Sequence, residues 1–307
     1  MIFFLIHGEL AFKSTIFIVA IQIRDPIFPY SIIPAFQLLA NQKPTKRDCN
    51  MPSLKHSLML ERGGVISVVG AGGKTALMFR LARELSKSGD RVLTTTSTKI
   101  YRPTRMQSSI VIVSESAEAI AKYAREVFKR NSHISAGSAI LHLKNKLKGL
   151  KPETIDALWQ SGVCRWIIVE ADGAAGRPLK APALHEPVIP QSTHWLIGVV
   201  GLDAVGKPLT YRWAFRPQRV SKISGLAIGA AITENAIADV LMDNNGIMKN
   251  SPPEAMRFAF LNQTDSQERL AIAKRIARVL DCGGKTGFTR VLIGQTLYEP
   301  FVKKYYP

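Results

Sequence analysis

Acidic residues are scarce in this chain. Its 307 residues hold 23 Asp and Glu against 41 Lys and Arg, a formal net charge of +18. Such a surplus favours anionic partners such as nucleotides, phosphorylated cofactors, nucleic acid or acidic lipid. The positive charge is nevertheless dispersed. No run of five Lys or Arg and no basic stripe interleaved with aromatics occurs, which argues against nucleic acid as the partner. Cysteine is also sparse: Cys49, Cys164 and Cys282 form no CxxC pair, which excludes a disulfide scaffold and a zinc knuckle and fits a reducing, cytoplasmic setting. Cys164 borders an apolar run and reads as a buried, inert thiol. No apolar stretch is long enough for a stable membrane span, because His7, Glu9 and Lys13 interrupt the apolar first twenty-three residues. Those residues also lack the basic leader and small-residue cleavage site of a signal peptide. Residues 1–50 show no sustained periodicity and read as an extension outside the core, with translation expected to start near Met51.

From 51 to 307 the pattern is that of one α/β domain. Apolar strand-like runs at 65–69, 91–95, 110–113, 166–170, 195–200, 258–261 and 290–293, with a further candidate at 139–143, alternate with helical periodicities at 76–88, 116–130, 233–242 and 266–280. Alternation of this kind predicts crossover connections and a mostly parallel sheet with helices on both faces, P-loop NTPase-like in layout. Ligands of such sheets bind at the carboxyl ends of the strands.

The sharpest feature is VISVVGAGGKTALMFRLA at 65–82. A buried strand runs into Gly70, Ala71, Gly72 and Gly73, then Lys74 and Thr75, then an amphipathic helix. Glycines let backbone amides approach phosphate oxygens, and a helix start adds unpaired N–H groups and a positive dipole end. Lys74 is placed to reach terminal phosphates and the Thr75 hydroxyl to bind Mg²⁺ beside ATP or GTP. The loop is shorter than GxxxxGK[ST], whose first glycine would fall on Val68; GxxGK[ST] resembles the loop of Mur ligases and folylpolyglutamate synthases. A second GGKT, within 282–286, follows a helix and enters no periodic helix, so it reads as a helix cap with a turn.

The strand WIIVE at 166–170 leads into Ala171, Asp172 and Gly173. A carboxylate at the end of a central strand suits Mg²⁺ or its waters, and spacing alone leaves Asp172 and Glu170 both open. Thr75 and Asp172 are expected to hold Mg²⁺, with Lys74, Asp172 and Glu170 as the catalytic set. The hydroxyls of TTTSTK at 94–99 either line the pocket or close a strand end.

GAGGKT at 70–75, VEADGAAGRPLKAPALHEPVIP at 169–190 and VVGLDAVGKPL at 199–209 together resemble the YqeC family of selenium-dependent hydroxylase accessory proteins. The resemblance spans about 58–293. It implies a P-loop NTPase-like accessory factor in the maturation of selenium-dependent molybdenum hydroxylases, with such an apoprotein or its cofactor as partner. Family members tend to carry an Asn-Lys-x-Asp element late in the chain. The matching residues are Asn262, Gln263, Thr264 and Asp265, so Asn262 and Asp265 are expected to read the base while Gln263 replaces the Lys that would cover it. Lys180 and Lys207 lie in loops after strands and are candidates for a second anion, such as the phosphate of a pterin cofactor. His185 is a candidate base or metal ligand, weighed against a structural role. Two other readings stay open: a small-molecule kinase or ligase, suggested by the short loop, and a non-catalytic carrier of a phosphorylated cofactor, suggested by the charge.

Overall fold

The computed structural model describes residues 52–281 and 287–307, together with the backbone of a two-residue strand at Phe17–Ile18. The reading of 1–50 as an extension otherwise falls outside the described residues, as does the cap assigned to 282–286.

Nine strands make the body of one sheet: β1 (Gly64–Gly70), β2 (Val92–Thr96), β3 (Val111–Val113), β4 (His133–Gly137), β5 (Trp166–Glu170), β6 (Thr193–Gly201), β7 (Met256–Asn262), β8 (Arg290–Gly294) and β9 (Val302–Tyr306). Their spatial order is β3-β4-β2-β5-β1-β6-β7-β8-β9, with Phe17–Ile18 beside β3. All neighbours are parallel except Phe17–Ile18 and β9, which run antiparallel at the two edges. β1, the strand that enters the glycine loop, thus lies between β5 and β6, deep inside the sheet.

Helices cover both faces, so the inner strands are apolar throughout rather than alternating. Successive residues of β1 serve opposite layers: Val65 and Val69 join one buried cluster, Ile66 and Val68 the other. Ser67 is tolerated between them because its hydroxyl meets that of Thr193 at 2.7 Å. Helix α1 (Lys74–Lys87) packs Leu77, Met78, Leu81 and Leu85 at three- and four-residue spacing onto the second layer. Each such side chain contributes about 1.5–3 kcal/mol by leaving water. Gly89, at φ 85°, supplies the left-handed turn that ends the helix. The first layer is built from α2 (Ala117–Val127), α3 (Pro152–Gln160), α4 (Pro217–Ser224), α5 (Glu234–Met242) and α6 (Gln267–Asp281).

The expected parallel α/β architecture is therefore present. Among the nine main strands and six helices, β4, α3, α4 and β9 were not anticipated. The expected strand at 139–143 is shorter, Ala139–Leu141, and belongs elsewhere. It pairs with Lys146–Lys148, which pairs with Lys99–Tyr101, in a small antiparallel sheet above the carboxyl ends of β2 and β4. The excursion after β5 forms a second small sheet, Leu179–Lys180 with Ala214–Phe215. No helix among the described residues is long and apolar enough to cross a membrane.

Candidate functional site

The loop after β1 is shaped by its backbone. Gly70, Gly72 and Gly73 have φ of 95°, 73° and 121°, a region side-chain-bearing residues rarely adopt. A Cβ on Gly73 would also collide with the Asn262 amide, and one on Gly72 with the Gly201 backbone.

Bonds inside the protein divide the loop amides into two groups. Gly70 N–H donates to Asp172 Oδ2 at 3.0 Å, Ala71 N–H to Val199 O at 2.8 Å and Gly72 N–H to Arg177 O at 3.1 Å. Gly70, Ala71 and Gly72 therefore fix the loop rather than offer donors, a correction to the uniform cradle expected from sequence. Among the described residues nothing accepts from the amides of Gly73, Lys74, Thr75 and Ala76. These are the first donors of α1, which has no side-chain cap and whose dipole adds positive potential at the same place. Ala76 carried no signal in the sequence beyond its position in the first helical turn.

The charged side chains lie beside and beneath this cluster. Lys74 is 4% exposed; its ammonium donates to Gly70 O at 2.6 Å and stands 3.2 Å from Asp172 Oδ1 and 3.7 Å from Glu170 Oε1. Burial alone would lower its pKa, but Asp172 and Glu170 outweigh it and hold the ammonium above its ordinary value. Glu170 accepts the Thr75 hydroxyl at 2.6 Å. Burial pushes its carboxyl up, against the opposing pull of Lys74 and Thr75. Both Thr75 and Glu170 line a cavity of about 1580 Å³ that opens over the carboxyl ends of the strands. Asp172 does not line it. That carboxylate is 1% exposed and held by the Gly70 amide, Lys74 and Lys180. Between the two carboxylates that the sequence left open, Glu170 is the one beside the Thr75 hydroxyl. The pairing of Thr75 with Asp172 as metal ligands does not form.

Lys180 is likewise not available to a ligand. It is fully buried, with its ammonium 2.8 Å from Asp172, 2.9 Å from Glu186 and 2.8 Å from Gly173 O. Glu186 is held in turn by a forked pair of bonds from Arg216 at 2.7 and 3.0 Å. Burial would raise the Glu186 carboxyl, but the Arg216 and Lys180 bonds pull it down to about 2. Lys207 is exposed, 5.4 Å from the centre of the Trp213 ring, and does not join Lys180. His185 is exposed and outside the cavity lining.

Asn262 ends β7, two strands from β1, and its side-chain amide donates to Gly72 O at 2.6 Å and to Thr296 Oγ1 at 3.3 Å. It braces the loop. Asp265 is exposed, bonded to Arg269 at 2.6 Å and absent from the cavity wall, so this pair is not assembled to read a base. Gln263 reaches the cavity instead and accepts from the Asp203 amide at 3.3 Å. The TTTSTK run is split: Thr94, Thr95 and Thr96 spend their hydroxyls on neighbouring strands, while Ser97, Thr98 and Lys99 face the cavity. Cys164 is buried, and burial pushes its thiol up to about 12.

A glycine loop followed by Lys and Thr, between a central parallel strand and the helix it starts, defines a P-loop-type α/β protein. Residues 66–218 match the family model described as YqeC protein. The YqeC protein of Escherichia coli (strain K12) is 35% identical over 220 residues, covering 70% of this chain and 81% of that relative. The chain belongs to the YqeC family. Among solved structures, chloroplast FtsY from Physcomitrella patens aligns over 77% of this chain and 61% of its own length, at 12% identity and a TM-score of 0.29.

Proposed function

We propose that this chain is a cytoplasmic Mg²⁺-dependent nucleoside triphosphatase that serves the maturation of selenium-dependent molybdenum hydroxylases. The observation that carries the nucleotide reading is the set of four unclaimed amides, Gly73 to Ala76, at the mouth of an uncapped helix beside a buried lysine. Such a cluster is the physical requirement of a polyphosphate site. The maturation role rests on the family resemblance alone.

The donor set suits Mg²⁺. This ion takes one or two protein oxygens and completes its shell with phosphate and water. Glu170 and Thr75 are the residues that would hold it. Among the described residues no larger group of His, Cys, Asp or Glu gathers that would suit an all-protein cage. When bound, the ion neutralises charge on the phosphates. Lys74 shares that task by turning its ammonium from Gly70 O toward the terminal phosphates, and the low-dielectric floor strengthens the interaction. Asp172 positions: it holds the Gly70 amide and keeps Lys74 charged. With Asn262 committed to the loop, recognition of the base falls to Gln263 and the Asp203 backbone, which favours no strict choice of guanine.

Titration calorimetry with ATP and GTP in MgCl₂ tests this reading, together with phosphate release. Saturable binding is expected, weakened at least tenfold in Lys74→Ala with an unchanged circular-dichroism spectrum. Equal affinity in the folded variant overturns it.

A further inference from the structure

The cavity is larger than one nucleotide site requires. Pockets for a single small ligand hold roughly 300–1,000 Å³, against about 1580 Å³ here. The strand order shows where the additional space lies. The cradle ends β1, and Gln263, after β7, marks one side. On the other side the cavity runs over β5 and β2 to β4, three strand spacings or about 14 Å away. Its far wall there is the small antiparallel sheet that carries Lys99, Tyr101 and Lys146.

That wall is cationic in excess of any internal need. The four carboxylates on the cavity surface are each already engaged: Glu115 with Lys148, Glu170 with Lys74, Glu186 with Arg216 and Asp203 with Arg269. Lys99, Lys146 and Lys151 also line it on this side, and among the described residues none has a carboxylate within 4.0 Å. Lys146 sits over an aromatic ring of the same sheet, 5.2 Å from the centre of Tyr101. Tyr101 is 72% exposed, so its ring is open to a ligand. Cations beside open ring faces suit a flat group bearing an anion.

We propose that this far wall binds a second ligand, a planar small molecule carrying a phosphate, at the same time as the cradle holds its nucleotide. Lys99, Lys146 and Lys151 take the phosphate, and Tyr101 packs on the ring. The site lies on the side of the cradle away from Gln263, where Glu170 and the terminal phosphate would face it. It extends the nucleotide reading but stands on separate residues, so the two fail separately.

Flavin mononucleotide is a fitting probe, with riboflavin as the same ring without phosphate. Fluorescence titration of the full chain, with and without saturating Mg-ATP, is expected to show flavin mononucleotide binding at least tenfold tighter than riboflavin. ATP should not displace it, and Lys74→Ala should keep it. Replacing Lys99, Lys146 and Lys151 together by Ala should weaken it at least tenfold, with an unchanged melting curve and ATP affinity within twofold. Four results overturn the proposal: no binding, equal binding of riboflavin, displacement by ATP, or indifference to the triple replacement. Flavin binding that persists in a protein unable to bind ATP would leave this site standing and remove the nucleotide reading instead.

Discussion

Replacing Lys180 by Met tests whether the charges below the loop act as one buried unit. The ammonium is fully buried and bonded to Asp172, Glu186 and Gly173 O. Met keeps the stem and removes the charge. Deleting one partner of a buried ion pair costs about 3–5 kcal/mol, because the remaining charge is left uncompensated in a low dielectric. Arg216 stays on Glu186 and Lys74 stays near Asp172, so the cost falls at the lower end, about 3 kcal/mol. For a domain of this size that lowers Tm by roughly 6–12 °C. The sign of the pH dependence follows from Glu186. Its carboxyl is held at about 2 in the folded state, below its ordinary 4.5. The stability it contributes is full above the ordinary value and is lost as pH falls from about 5 toward 2. In Lys180→Met the Glu186 carboxylate loses one of the bonds that hold it low, so it accepts a proton more readily and acid harms the variant less than the parent. Thermal melts followed by circular dichroism at pH 7 and pH 4 should therefore show a wide gap that narrows on acidification. Lys207→Ala, at an exposed position, should melt within about 1–2 °C of the parent. A Lys180→Met protein that melts with the parent, or a gap that ignores pH, refutes the argument.

Glu170→Gln should abolish the Mg²⁺ dependence of nucleotide binding while leaving most of the metal-free affinity, read by calorimetry with and without EDTA; Asp172→Asn should instead lower Tm. Gly73→Ala should cost about 1–3 kcal/mol from its strained φ and weaken nucleotide binding beyond detection, since the new Cβ drives into the Asn262 amide. His133 is lowered to about 4 by burial. Its ring should stay neutral in NMR titrations from pH 8 to 5, and its contribution to stability should fade as pH drops from about 6.5 toward 4.

The parts of the fold legible in the sequence were those with one dominant local signal. WIIVE has an unbroken apolar run bounded by turn residues, and β5 begins and ends where that run does. The strand, glycines and amphipathic helix at 64–87 reinforce one another, and all three formed. β4 escaped notice because HISAG mixes polar and small residues; its pairing with β2 and β3 makes it a strand, not its propensity. α4 was hidden because Arg216 enters it from a left-handed conformation without a capping side chain. At the site, chemistry was more legible than partnership. Lys74 lies among the expected carboxylates, but Thr75 bonds Glu170 where Asp172 was its expected partner. Lys180 looked available because nothing local reports that Asp172 and Glu186 surround it. Asp265 looked like a base reader because Arg269, one helical turn on, is visible as its partner only once the helix is formed.

Asn262 and Asp172 pin the glycine loop from opposite directions, one from two strands to its right and one from the neighbouring strand on its left. A loop held this way is set before any guest arrives, so little disorder is left to freeze on binding. The same tethers make the socket a sensor of the sheet. Slippage at the tip of β7 or β5 would distort the socket mouth, and a guest that fits the mouth would lock both tips in register.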